Sequence, residues 1–445
     1  MLHTKKLLVM ALAALAVLPS AAQDKIEIKF WHIFQDDNRL GWSRGVAEEF
    51  NKLYPQYNVT VEAFENYEVL LNATEQALEQ GTAPAIVQYF EVATQRARDL
   101  GFFKPVQEAL AGREEVLGIP VDFEDFIQPV VNYYTLDGQF TSMPWNSSTP
   151  ILYTNTAFLE AAGLEKPPAT WQELEAACEA VMALPNAPQF CITWPNHGWF
   201  FEQWLAQQNA EIVNNGNGRQ ARATEVLLTS ENAINIASWW KSMYDRGYYY
   251  YSGKQRDWTA TEQAIQTGQT AFIITSSADA RNITEAAAAN GINIVTTRMP
   301  FDEKYGWTGN IIGGASLWLV DGLDPAVEEG ALAFLLFLNN TENAASWHQA
   351  TGYLPIRQSS VELLESQGWF EQNPNFFTAS DQINNSQVTS ATSGGLFGTF
   401  VETRNLVTQA IEDLMLKGGD VAERMAAAKA EADKLLADYN SLFGE

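Results

Sequence analysis

The residues of this 445-residue chain whose types and spacing could do chemistry stand mainly where strands give way to helices. Tyr67 and Glu91 each stand where an apolar strand gives way to a helix, the edge of a sheet at which side chains reach a crevice. Glu91 taken alone also fits a solvated loop carboxylate. Farther on, Ser276-Ser277-Ala278-Asp279 opens a helix after a strand, and the unpaired N–H groups of a helix start make a natural anion seat. Metal chemistry has no foothold in the pattern: His3, His32, His197 and His348 are far apart, and the two cysteines, Cys178 and Cys191, have no zinc-ligand spacing. In an oxidising compartment those cysteines could pair or stay free. Nothing matches a GxxxxGK[ST] nucleotide loop, so no cofactor is expected.

The elements that must position these residues follow from periodicity. Ile26, Ile28 and Phe30 alternate with Glu27, Lys29 and Trp31, a strand signature. A helix with Val46, Phe50 and Leu53 on one face ends at Pro55. A strand at 59–64, a helix at about 67–80, a break at Gly81 and Pro84 and a strand at 85–90 complete a βαβαβ unit, which implies a mostly parallel sheet with helices on both faces. A second α/β pattern starts near Trp145, with strands at 151–153 and 270–275, a helix at about 259–267 ended by Gly268, and a helix from Trp171 capped by Thr170. Tyr248 to Tyr251 reads as a lobe-surface strand. The last helix, about 420–441, shows Leu435, Tyr439 and Leu442 at spacings that suit one face.

Eight short segments carry a resemblance: Phe30-Trp31-His32, Asn66-Tyr67-Glu68, Tyr89-Phe90-Glu91, Trp145 to Pro150, Thr170 to Leu174, Thr275 to Ser277, Ile311 to Trp318 and Thr351 to Ile356. In order and spacing they resemble the periplasmic glycerol-3-phosphate-binding proteins of bacterial ABC importers, over nearly the whole chain. The resemblance implies a bilobed periplasmic-binding-protein fold, two α/β lobes joined by several hinge crossovers with the ligand cleft between them. It implies a ligand set of Tyr67, Glu91, Ser148, Trp171, Ser276, Gly314, Tyr353 and Arg404. Within that set Arg404 suits bidentate phosphate binding. Ser148, Ser276, Tyr353 and the Gly314 N–H would donate the remaining hydrogen bonds, Glu91 would accept from glycerol hydroxyls, Trp171 would lay its flat face on the carbon backbone, and Tyr67 would add a hydroxyl contact. Trp145, Trp194, Trp199 and Trp307 are further candidates for the cleft. Each has a plainer alternative: Trp171 as a lobe-packing aromatic, the serines as helix caps, Arg404 as the partner of Glu402 or Glu412. Two features depart from the family pattern. Gly394-Gly395-Leu396-Phe397-Gly398 lacks an arginine that the family places there, and Trp145 stands where phenylalanine is usual.

The bulk properties agree with export. Lys5 and Lys6, the apolar run Leu7 to Leu18 and the small residues Ser20, Ala21 and Ala22 read as a secretory leader over residues 1–22. That run is shorter than the roughly 20 residues a spanning helix needs, and no cysteine stands at the expected cleavage site to take a lipid anchor. A free periplasmic protein is expected. Its formal net charge of −27 argues against nucleic acid and anionic membrane as partners. The expected division is residues 23–145 and 297–338 in a first lobe, with 146–296 and 339–445 in a second. The expected function is to deliver sn-glycerol 3-phosphate, and glycerophosphodiesters such as glycerophosphocholine, as a monomer to the membrane subunits of an ABC transporter. An oligosaccharide receptor of the same fold is the alternative, favoured by fourteen tryptophans. An enzyme is not expected.

Overall fold

A computed structural model describes residues 24–443, so the expected leader lies outside the described residues. Eleven strands build its two principal sheets. In chain order they are β1 (Ile26–His32), β2 (Tyr57–Ala63), β3 (Ile86–Phe90), β4 (Phe103–Lys104), β5 (Met143–Ser148), β6 (Pro150–Asn155), β7 (Phe190–Thr193), β8 (Tyr249–Tyr250), β9 (Thr270–Ser276), β10 (Ile294–Arg298) and β11 (Gly313–Val320).

The first sheet has the order β2-β1-β3-β11-β4, with β5 also paired to β11. Its first three strands are parallel, as the βαβαβ reading requires, while β11 returns antiparallel to β3, β4 and β5. Along β1 the residues Ile28, Phe30 and His32 are buried, which is the alternation visible in the sequence. The second sheet has the order β8-β7-β9-β6-β10, with β6 antiparallel to both neighbours. The four-tyrosine run supplies its edge strand, and Tyr249 points inward to donate to the Trp194 carbonyl at 2.6 Å.

Helices cover both sheets: α1 (Asp37–Leu53), α2 (Tyr67–Glu79), α3 (Trp171–Met182), α4 (Gly198–Gln207), α5 (Glu231–Asp245), α6 (Ala280–Ala289), α7 (Thr341–Thr351), α8 (Phe400–Leu416) and α9 (Val421–Phe443). Their starts follow the capping residues. Asn66 accepts from the Val69 N–H, and Thr170 accepts from Glu173 while the Glu173 carboxylate accepts from Ala169, a reciprocal cap. Cys178 on α3 and Cys191 on β7 form a disulfide. On α9 the buried face is Met425, Ala428, Ala432 and Leu436, whereas Leu442 is exposed. The larger side chains were expected to face inward, but small alanines are what bring this helix close to its neighbour.

The chain passes between the sheets at Thr149 and again between Arg298 and Gly313. Both places lie a few residues beyond the expected boundaries at 145 and 296. Helix α7, expected in the second lobe, packs against α1 instead, with Trp347 stacked on Trp145 at 5.0 Å and touching Trp42. No helix among the described residues is long and apolar enough to cross a membrane.

Candidate functional site

A cleft of about 920 Å³ opens between the lobes, and seven of the eight expected residues line it: Tyr67, Glu91, Ser148, Ser276, Gly314, Tyr353 and Arg404. The crossover strands form its floor. Ser148 ends β5 and lies opposite Gly313 on β11. Leu354, next to Tyr353, donates its N–H to the Ser147 carbonyl at 2.8 Å. Gly314 has φ of +117°, and a Cβ there would stand 1.9 Å from the Asn146 carbonyl oxygen, so only glycine lets the two strands meet.

The first-lobe wall presents Tyr67 and Glu91. Tyr67 stacks on Phe90 with ring centroids 4.4 Å apart, and its hydroxyl accepts from Asn146 Nδ2 at 2.8 Å. Asn146 accepts in turn from Gln88, and Gln88 from the Ile33 N–H, a chain that fixes Tyr67 as acceptor on one side and frees its proton for the cleft. Glu91 follows β3 and is 2% exposed. Burial pushes its carboxyl up to about 7, against the opposing pull of Arg404, with the like charge of Glu202 adding to the rise. Oε1 accepts from Arg404 at 3.1 Å, and Oε2 is buried without a partner.

Arg404 enters from α8 and is not a free cation. Its Nε and Nη2 donate to the two oxygens of Glu202, each at 2.7 Å, and Nη2 also reaches Glu91. The rings of Phe90 and Phe400 flank the guanidinium at 5.2 and 5.4 Å. Neither Glu402 nor Glu412 is its partner: Glu402 meets Arg96, and Glu412 meets Tyr251 and Gln255. Nη1 alone has no protein acceptor among the described residues. Glu202 was not anticipated. It lies one turn after Gly198, where a Cβ would come within 2.7 Å of the Arg404 carbonyl oxygen, so the glycine lets α4 and α8 touch and brings the carboxylate to the arginine.

Trp171 is the exception among the eight. It lies in the core of the second lobe, stacked on Trp239 at 4.2 Å and edge-on to Trp204, and does not line the cleft. Trp194 joins the same cluster, and Trp145 is buried in the first lobe. The cleft takes its indoles from Trp199, whose ring edge abuts Gly313, and from Trp258. Trp199 opens α4 behind His197, much as Trp171 opens α3 behind Thr170, so local sequence does not separate the two.

The expected anion seat is flanked by acidic side chains. Ser276 Oγ caps the turn by accepting from Ala278 N–H, and Asp279 sits in that turn beside buried Glu262, whose carboxyl is pushed well up by burial and by Asp279. Arg39 on α1 reaches across the cleft to Asp279 at 2.7 Å and to the Ala278 carbonyl. A second pair spans the mouth, Arg256 to Glu68 at 2.5 Å.

Two α/β lobes enclosing a polar cleft lined from both sides, with donors and acceptors turned inward, define a hinged solute receptor of the periplasmic-binding-protein fold. The chain belongs to the bacterial extracellular solute-binding proteins, whose family profile matches residues 45–378. It is 32% identical over 413 residues to the sn-glycerol-3-phosphate-binding periplasmic protein of Pectobacterium atrosepticum, covering 91% of this chain and 90% of that one. The Escherichia coli protein of the same name is also 32% identical, covering 91% of each chain. Among solved structures, UgpB from Mycobacterium tuberculosis in complex with glycerophosphocholine superposes with a TM-score of 0.74 at 19% identity, over 94% of this chain and all of that one. The sugar-binding protein MalE from Xanthomonas citri superposes at 0.75 and 18% identity, over 94% of this chain and 99% of that one.

Proposed function

We propose that this protein is the periplasmic receptor of an ABC importer and captures sn-glycerol 3-phosphate or a glycerophosphodiester such as glycerophosphocholine. The observation that carries the reading is the convergence on one cleft of seven residues drawn from distant parts of the chain, with ligand-facing groups left unpaired. In this reading Arg404 Nη1 and the hydroxyls of Ser148 and Ser276 take the phosphate, and Tyr67 and the open oxygen of Glu91 take the glycerol hydroxyls. Tyr353 and the Gly314 backbone close the floor, and Trp199 supplies the flat apolar face in place of Trp171. The relatives named for glycerol 3-phosphate, similar across nine-tenths of the chain, support the ligand class.

Capture works by hinge closure: contacts from both lobes exist only in the closed form, so the ligand biases the equilibrium by its differential affinity for that form. The lobes meet through the pairs Arg39–Asp279 and Arg256–Glu68. The protein acts as a monomeric carrier, exported by a leader at residues 1–22, and hands the solute unchanged to membrane subunits that hydrolyse ATP. Calorimetric titration of ligand-stripped protein with sn-glycerol 3-phosphate, glycerophosphocholine and maltose tests the reading. One-to-one binding of a phosphorylated ligand, recovered unmodified after long incubation, is expected. Binding of maltose alone would refute it and favour an oligosaccharide receptor.

A further inference from the structure

We propose that Glu202 sets the charge class of the ligand, making this receptor select singly charged phosphate diesters over doubly charged monoesters. The inference rests on the functional reading above and deepens it. At the floor of the cleft one guanidinium faces two carboxyl groups, all three side chains no more than 4% exposed. Glu202 holds Arg404 through two parallel hydrogen bonds, the strongest geometry available to such a pair. Packing between Phe90 and Phe400 keeps the guanidinium there. The ligand therefore meets an arginine whose charge is already matched by Glu202.

Neighbouring groups do not restore a positive potential. Arg39 is matched by Asp279, and Arg256 by Glu68. His197 is buried with its Nδ1 accepting from the Trp199 N–H, and burial and Arg404 keep its ring uncharged. The glycine-rich stretch Gly394 to Gly398 has no basic residue, Arg219, which donates to the Gly394 carbonyl at 2.7 Å, does not line the cleft, Arg281 on its rim is matched by Glu285, and Lys254 is exposed at the mouth. A phosphate monoester carries about 1.5 to 2 negative charges at pH 7, whereas a diester carries one. In a site of low dielectric the additional charge beside Glu91 and Glu202 is repelled far more strongly than in water. Arg404 Nη1 and the serine hydroxyls still offer hydrogen bonds to either ligand, so the distinction is one of charge. Glu202 acts through Arg404 and is a positioning residue.

The experiment compares sn-glycerol 3-phosphate with its methyl diester, which removes one charge while adding a single carbon, by calorimetric titration at pH 8. The wild-type protein should bind the diester at least about tenfold more tightly, a difference of roughly 1.4 kcal/mol. Glu202→Gln should bring the two affinities together by strengthening the monoester, and Glu202→Asp should keep the preference. Equal affinities in the wild type, or a preference for the monoester, would overturn the proposal, as would an unchanged ratio in Glu202→Gln. Should Glu202→Gln not fold, the wild-type ratio decides by itself. Binding of neither ligand would overturn the functional reading on which the proposal stands.

Discussion

Glu91 should leave a measurable signature in the pH dependence of stability. Its carboxyl is raised from 4.5 to about 7 in the folded protein, so the native state holds a proton that the unfolded state has released. Stability from this group is lost as pH rises through 7 and regained as pH falls. Between pH 8 and pH 6 the linkage integral gives a gain of about 1.3 kcal/mol from this one residue. The buried histidines act in the opposite sense. His32 and His348 are held down to about 4 by burial, and His197 lies well below its ordinary value, so each is neutral when folded and binds a proton on unfolding. Over the same interval each histidine costs about 0.8 kcal/mol, which sums to nearly twice the Glu91 gain. From pH 8 to pH 6 the wild-type protein should therefore gain about 1.3 kcal/mol of stability relative to Glu91→Gln. Glu202 and Glu262, also pushed up, are present in both proteins and largely drop out of the difference. Urea unfolding of ligand-free protein at the two pH values measures it. Parallel curves for wild type and Glu91→Gln would refute the argument that Glu91 is an unrelieved buried carboxylate.

Three further outcomes are expected. Trp171→Ala should lower stability by roughly 3–5 kcal/mol, as for a large core aromatic, and leave the ligand affinity of the folded protein unchanged, while Trp199→Ala, also buried, should both lower stability and weaken affinity; paired urea and calorimetric titrations distinguish them. Gly314→Ala should cost roughly 1–3 kcal/mol from overpacking and abolish tight binding, because the new Cβ drives β5 away from β11; full affinity in that variant would show the close approach to be dispensable. Reduction of the Cys178–Cys191 disulfide, whose partners are 13 residues apart, should lower stability by about 3 kcal/mol; an unchanged urea midpoint in reductant would contradict it.

Much of the fold could be read from local pattern. The β1 alternation, the caps at Asn66 and Thr170 and the strand ends at Tyr67 and Glu91 are decided by neighbours in sequence, and the structure agrees at each. The site was less legible where distant elements decide. Trp171 and Trp199 both begin helices behind a capping side chain. One meets Trp239 and the other the bare backbone of Gly313, and neither contact has a local signal. Glu202 lies 202 residues from Arg404, on a helix whose buried side is otherwise apolar and amide-bearing, so nothing in the periodicity marked it as a counterion. The expected α9 face is met in part: Tyr439 packs on Gly398 and donates to Asp99, whereas Leu442 is exposed and Ala428 and Ala432 take buried positions.

The floor of the cleft has a kinetic consequence. Ser148, Gly314 and Tyr353 lie on adjoining segments at the pivot, where displacement during opening is least, whereas Tyr67 with Glu68 and Asp279 with Arg256 ride on the moving walls. In the reading proposed above, a solute arriving at the open receptor would meet donors already in place, and the encounter step would be governed by diffusion and the pivot. Residence time is governed separately by how often the walls part. On that reading the two can be tuned independently: substitutions in the wall pairs would shorten the lifetime of the loaded receptor without slowing its loading, so a receptor could charge quickly and still hold its cargo until it reaches the membrane.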